Sequence, residues 1–155
     1  SLVGSEMCIR DSAGTSMRFL TAFYSILEDK EIIIKGSKRM HERPIYPLID
    51  CLKLIGADIS YLEKKGFPPI KIKGKKLNYK KVQISSNVSS QFVSAILLVA
   101  PKLTGGLTIE LKGELISKPY IEMTLSLLND LGIKTSFVVK LNTVENLEKI
   151  QQKLI

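Results

Sequence analysis

Val88-Ser89-Ser90-Gln91-Phe92 places two hydroxyls and a side-chain amide just ahead of an apolar run, residues 92–100, whose composition predicts a buried helix. The first amides of a helix lack intrahelical partners and the helix dipole favours an anion, so serines at that point add donors suited to phosphate oxygens. The same serines are equally suited to an ordinary N-cap, with a hydroxyl accepting from those amides. The local sequence leaves both uses open.

Three further segments carry residues able to hold anions. Ala13-Gly14-Thr15-Ser16-Met17-Arg18 sets a glycine at a second helix start, where the missing Cβ permits close approach of a ligand to the backbone. Lys38-Arg39-Met40-His41-Glu42-Arg43-Pro44 is a basic loop, and an arginine fork there would grip phosphate or carboxylate with two bonds while staying charged, although such a run also suits a solvated surface. Ser117-Lys118-Pro119-Tyr120 adds neutral donors and a cation ahead of a third helix. His41, the sole histidine, is expected to be a solvent-exposed loop residue, and no catalytic dyad can be built around it.

Composition narrows the partner. The net charge is +8, from 23 basic and 15 acidic residues, and its excess lies in residues 35–43, residues 64–81 and the tail. An anionic partner follows. Aromatics are only 6%, tryptophan is absent and no RNA-binding or zinc-finger spacing occurs, so small phosphates are favoured and no nucleic acid is expected. Cys8 and Cys51 stand alone, outside any CxxC or Cys/His cluster. No metal, no disulfide framework and no cofactor is expected, and a reducing cytoplasm fits. The longest apolar run is too short to span a bilayer, so no membrane association is expected.

The chain repeats itself. Ile33-Ile34-Lys35-Gly36 answers to Glu110-Leu111-Lys112-Gly113, Arg43-Pro44-Ile45 to Lys118-Pro119-Tyr120, and Leu54-Ile55-Gly56-Ala57 to Asp130-Leu131-Gly132-Ile133, so each unit spans roughly 76 residues. Helices are predicted where apolar residues share a face: Met17, Leu20, Phe23, Tyr24 and Leu27 in one, and Ile45, Leu48, Ile49, Leu52 and Ile55 in another. Pro44 and Pro119 are placed in first turns, and Gly56 and Gly132 end helices. Strands are expected over 31–35, 58–62, 70–73, 81–85, 108–112 and 134–139. The fold class is therefore α/β, with one βαβαββ unit whole in the middle of the chain and partial copies on either side; such units must stack to close a core.

The four quoted segments together resemble the EPSP synthase family, the shikimate-pathway enolpyruvyl transferases. The resemblance implies an alpha-beta prism, with helices inside and sheets outside, and substrates held in a cleft between two lobes. It implies transfer of the enolpyruvyl group of phosphoenolpyruvate to the 5-hydroxyl of shikimate 3-phosphate, with release of phosphate. Gly14, Arg39 and Gln91 would then contact phosphoenolpyruvate, while Ser89, Ser90, Gln91, Ser117 and Tyr120 would contact shikimate 3-phosphate. Arg18 and Arg43 would support the lobe from behind. No catalytic residue is expected within this chain, since the family's acid/base lysine and the second lobe of the same chain lie elsewhere.

Residues 1–12 resemble translated sequencing adapter and are expected to stand outside the fold; 13–140 are expected to form a partial lobe of about two units, and 141–155 an unassigned tail. Two rival readings differ in kind. The related transferase acting on UDP-N-acetylglucosamine needs a reactive cysteine on a loop, whereas Cys51 falls inside a predicted helix. A basic RNA-binding module would show salt-dependent RNA binding instead.

Overall fold

The computed structural model describes residues 7–11, 14–85, 89–112 and 118–135. Its first half is one complete βαβαββ unit. Strand β1 (Met7–Asp11) leads through α1 (Gly14–Ser25) to β2 (Glu31–Gly36), and a short α2 (Lys38–His41) precedes α3 (Tyr46–Leu54), β3 (Asp58–Tyr61) and β4 (Ile70–Lys73). A second unit opens with β5 (Asn78–Ser85), α4 (Ser90–Val99), a 3-10 turn (Ala100–Lys102), β6 (Thr104–Lys112) and α5 (Lys118–Asp130). The first sheet has the order β1-β2-β4-β3, and β5 and β6 form the second.

The repeat is a repeat of topology as well as of sequence. β1 pairs parallel with β2 across α1, and β5 pairs parallel with β6 across α4, so each unit begins with the same crossover. β4 then runs antiparallel to both β2 and β3. Alternation decides which face is covered: Ile32, Ile34, Ile59, Ile70 and Ile72 are buried against the helices, while Lys35, Asp58, Ser60 and Lys73 are exposed. The helices lie inside. α4 is apolar nearly all round, with Phe92, Val93, Ser94, Ala95, Ile96 and Val99 buried, because it packs against α1 and α3 and also against α5. Its buried Ser94 hydroxyl accepts from Thr124 Oγ1 of α5 at 3.0 Å, and Thr21 in α1 donates to the Met17 carbonyl at 2.7 Å. Buried hydroxyls inside these helices are thus satisfied.

Three expectations need correction. Residues 7–11 do not stand outside the fold. They add a parallel ladder of five residue pairs to β2, Met7 opposite Ile32 through Asp11 opposite Gly36, because the edge of β2 offers a row of backbone donors and acceptors to any extended neighbour. The complete unit accordingly starts at β1 rather than in the middle of the chain. Pro44 does not open a helix: Ile45, with φ −122°, is outside helical backbone while its N–H donates to Gly66 O at 2.9 Å across the turn-rich connector, and α3 begins at Tyr46 with Pro47 in its first turn. His41 is no solvated loop residue; it is partly buried in α2, and its Nε2 accepts from Gly36 N at 3.2 Å.

The other marks stand where the sequence set them. Gly56 and Gly132 take positive φ angles of 103° and 81° at the ends of α3 and α5, and Pro119 lies in the first turn of α5. Residues 133–135 are not in a strand; Thr135 instead hooks onto Asn129 Oδ1 through its N–H at 3.2 Å and its hydroxyl at 2.9 Å. The remainder of the strand expected over 134–139, and the tail at 141–155, lie outside the described residues.

Candidate functional site

Helices α1 and α4 occupy equivalent places in the two units, and their first turns are joined side by side. Arg18 Nη1 of α1 donates to Gln91 Oε1 of α4, and the same guanidinium lies 4.6 Å from the centre of the Phe92 ring. Arginine suits this double use because its planar head stacks while its edge donates. The loop after β2 closes on the same spot from the other side. Met40 is buried, and a Cβ placed on Gly14 would meet Arg43 Nη1 at 3.3 Å and Met40 Cε at 3.4 Å.

The result is a cluster of cations with no acid paired to it among the described residues. Burial, and secondly the charge of Arg43, hold the Arg18 guanidinium below its ordinary value. None of the ion pairs among the described residues involves Arg18 or Arg43. Two guanidiniums close enough to repel, beside the starts of two helices, form a surface complementary to an anion.

The capping reading of the serine pair is not realised at Ser89. Ser89 has the extended backbone of an N-cap and its carbonyl accepts from Phe92 N at 2.9 Å, yet its side chain makes no capping hydrogen bond. The hydroxyl of Ser89 is therefore not committed to the helix. Ser90 and Gln91 follow on the first turn, partly exposed.

The expected site residues thus divide by place. Gly14 and Gln91 are drawn into one cluster by Arg18, Arg43 and Met40, and Ser89 and Ser90 lie at its rim. Arg39 is exposed on α2, one residue from Met40, and none of the hydrogen bonds or ion pairs among the described residues includes it. Tyr120 is 60% exposed at the start of α5, one turn before Thr124 joins that helix to α4. Ser117 lies outside the described residues. Arg18 and Arg43, expected only as supports, sit within the cluster. The available signal was an arginine beside Met17 on the face that α1 buries, a place where an unpaired charge is costly without a purpose.

Cys51 is buried in α3, and burial, with Asp50 nearby, pushes its thiol up to about 11. A nucleophilic thiolate is not available from it. Among the described residues no group of three His, Cys, Asp or Glu side chains is placed to hold a metal ion.

The sequence model of EPSP synthase (3-phosphoshikimate 1-carboxyvinyltransferase) matches residues 7–152, beginning where β1 begins. The chain belongs to the EPSP synthase family. Among curated relatives it is 45% identical over 139 residues to a 3-phosphoshikimate 1-carboxyvinyltransferase of Actinobacillus pleuropneumoniae serotype 5b, covering 84% of this chain and 32% of that protein. A namesake from Bacteroides fragilis is 42% identical over 134 residues, covering 86% and 32%. One from Haemophilus influenzae is 47% identical over 125 residues, covering 79% and 29%. The solved EPSP synthase of Acinetobacter baumannii shares the fold, with a TM-score of 0.67 and 23% identity over 88% of this chain and 29% of that one. The chain spans about a third of the length of the curated relatives it matches. The paired βαβαββ openings belong to that shared fold.

Proposed function

We propose that this chain forms one wall of the active site of a 3-phosphoshikimate 1-carboxyvinyltransferase, binding phosphoenolpyruvate and shikimate 3-phosphate between it and a second lobe of the same protein. The observation that carries this reading is the joined pair of helix starts. Gly14 on α1 and uncapped Ser89, Ser90 and Gln91 on α4 are locked together by Arg18, with Arg43 alongside and, among the described residues, no carboxylate paired to either cation. Gly14, Arg39 and Gln91 hold phosphoenolpyruvate; Ser89, Ser90, Gln91, Ser117 and Tyr120 hold shikimate 3-phosphate.

The chemistry asks much of electrostatics and little of this wall in proton transfer. The 5-hydroxyl of shikimate 3-phosphate, giving up its proton to a base, adds to C2 of phosphoenolpyruvate as a proton goes to C3; the tetrahedral adduct then expels inorganic phosphate and loses a proton from the C3 methyl group to restore the double bond. Both substrates are polyanions, so fixed donors in a closed cleft orient them and offset their mutual repulsion. The acid and base come from outside this wall. The expected compartment is the cytoplasm, in keeping with two unpaired cysteines, and among the described residues no helix is long and apolar enough to cross a membrane.

The test is titration of the isotope-labelled chain with each substrate, followed at the backbone amides of Gly14, Ser89, Ser90 and Gln91. Saturable shifts with shikimate 3-phosphate at the start of α4, and no turnover by the chain alone, are expected. Salt-sensitive binding of RNA with no response to either substrate would overturn the reading in favour of a nucleic-acid module.

A further inference from the structure

Gln91 is assigned to both substrates, yet a glutamine amide offers a donor and an acceptor, and only the donor end suits an anion. Its acceptor end is already taken. Arg18 Nη1 donates to Gln91 Oε1 over a separation of 73 residues, and the guanidinium is itself held against the Phe92 ring at 4.6 Å. A guanidinium has no acceptor, so it can engage only the oxygen of the amide and never its nitrogen. With Oε1 bound, Nε2 and its two protons are directed away from Arg18.

From this geometry we infer that Arg18 is a positioning residue, which fixes the Gln91 side chain with its NH2 group presented to the anionic ligands and its carbonyl oxygen turned out of the way. The inference rests on the proposed substrates for its ligand class, but the Arg18 contact itself does not. Without Arg18, the amide is free to rotate, and its flipped orientation sets an oxygen lone pair against phosphate or carboxylate. The cluster also explains why an arginine is used. Lysine would supply a donor to Oε1 but no planar head to stack on Phe92, so it would hold the amide less firmly.

The experiment uses the 155-residue chain labelled with nitrogen-15, as wild type, Arg18→Met and Arg18→Lys, with circular dichroism confirming the helix content of each. In wild type, the side-chain Nε2 group of Gln91 is expected to be ordered, near the value of about 0.85 found for rigid backbone, and to fall below about 0.6 in Arg18→Met while the Gln91 backbone amide stays rigid. Arg18→Lys is expected to fall between them. Equal order in all three proteins would overturn the inference, and so would loss of order that spreads to the backbone of α4 in both variants, since Arg18 would then be only a strut between helices. Shikimate 3-phosphate and phosphoenolpyruvate are then added. If the Nε2 order depends on Arg18 but neither substrate shifts the Nε2 resonance, the positioning role stands and the substrate reading fails. If substrate binding shifts Nε2 equally in wild type and Arg18→Met, the substrates stand and the positioning role fails.

Discussion

A Cβ on Gly14 would lie 3.3 Å from Arg43 Nη1 and 3.4 Å from Met40 Cε, both of them ends of flexible side chains. Gly14→Ala is therefore accommodated by movement of Arg43 rather than by strain in the backbone, and alanine is the better helix former at the start of α1. Stability is expected to change by less than about 1 kcal/mol. The anion cluster bears the cost. Phosphoenolpyruvate affinity in the transferase is expected to weaken by roughly 1 kcal/mol, a factor of about five, as Arg43 is displaced. Paired denaturation and substrate titrations check this; a large stability loss with unchanged affinity would place Gly14 in the scaffold instead.

Gly74 makes the opposite case. A Cβ there would stand 1.8 Å from the carbonyl oxygen of Leu27 and 2.8 Å from that of Tyr24, and backbone atoms at the end of α1 cannot swing aside. The approach is fixed by two backbone bonds, Gly74 N to Lys30 O at 2.8 Å and Lys75 N to Ser25 O at 3.1 Å. Gly74→Ala is expected to cost about 3 kcal/mol, measured as a fall in the urea midpoint. A shift no larger than that of Gly14→Ala would contradict this packing.

What the sequence revealed was local. Apolar spacing located α1, α3 and most strands, an apolar run located α4, and the glycines at 56 and 132 marked helix ends, because each of these depends on neighbours within a turn. Pro44 misled because Ile45, bonded to Gly66 across the connector, leaves helical backbone, and no local rule supplies that connector's path. β1 was hidden for a similar reason. Its pairing is a backbone ladder onto an open edge, and backbone donors carry no sequence signature. At the site, Ser89 and Gln91 were readable as donors at a helix start, but the clamp from Arg18 spans two repeat units and became visible only once they were stacked.

Because β1 pairs with β2 over five positions, removing residues 1–11 is expected to destabilise the chain by more than about 1 kcal/mol, whereas removing only residues 1–6 leaves it within about half that. The ladder and the contact of Ile9 with the core supply the difference. Replacing residues 7–11 by another strand-forming sequence that keeps an apolar residue at position 9 is expected to restore stability. Denaturation of the three chains checks it, and equal midpoints would show that β1 adds nothing.

Alkaline pH is expected to destabilise the fold in two overlapping steps. Burial first and the charge of Asp50 second raise Cys51 from 9.0 to about 11, and raise Tyr61 from 10.0 to about 12. In each case the native state keeps a proton that the unfolded chain has lost, so the slope of stability with pH is negative. The contribution of Cys51 is whole below pH 9.0 and is lost as pH rises toward about 11; that of Tyr61, whose buried hydroxyl has no hydrogen-bond partner among the described residues, is lost between 10.0 and about 12. Urea midpoints across this range are expected to fall, with the earlier part of the fall absent in Cys51→Ala whatever its baseline stability. In the native protein at neutral pH, thiol reagents are expected to modify exposed Cys8 and spare Cys51.

Arg39, Ser89 and Ser90 are each open enough to be substituted without harm to the core, so their effects report on ligands. Arg39→Ala, Ser89→Ala and Ser90→Ala are each expected to change stability by no more than about 0.5 kcal/mol, and Ser89→Ala least of all, since its side chain caps nothing. Their kinetic effects are expected to differ in size and in substrate. On the proposed function, loss of a charged bidentate donor at Arg39 is expected to remove roughly 2 to 5 kcal/mol of transition-state stabilisation and to fall on phosphoenolpyruvate, whereas loss of one neutral hydroxyl is expected to remove nearer to about 1 kcal/mol and to fall on shikimate 3-phosphate. Steady-state kinetics of the transferase with each substrate varied separates the two patterns. Equal and mild effects from all three substitutions would show that Arg39 is a solvated charge on α2 and that the serines merely lead the chain into α4.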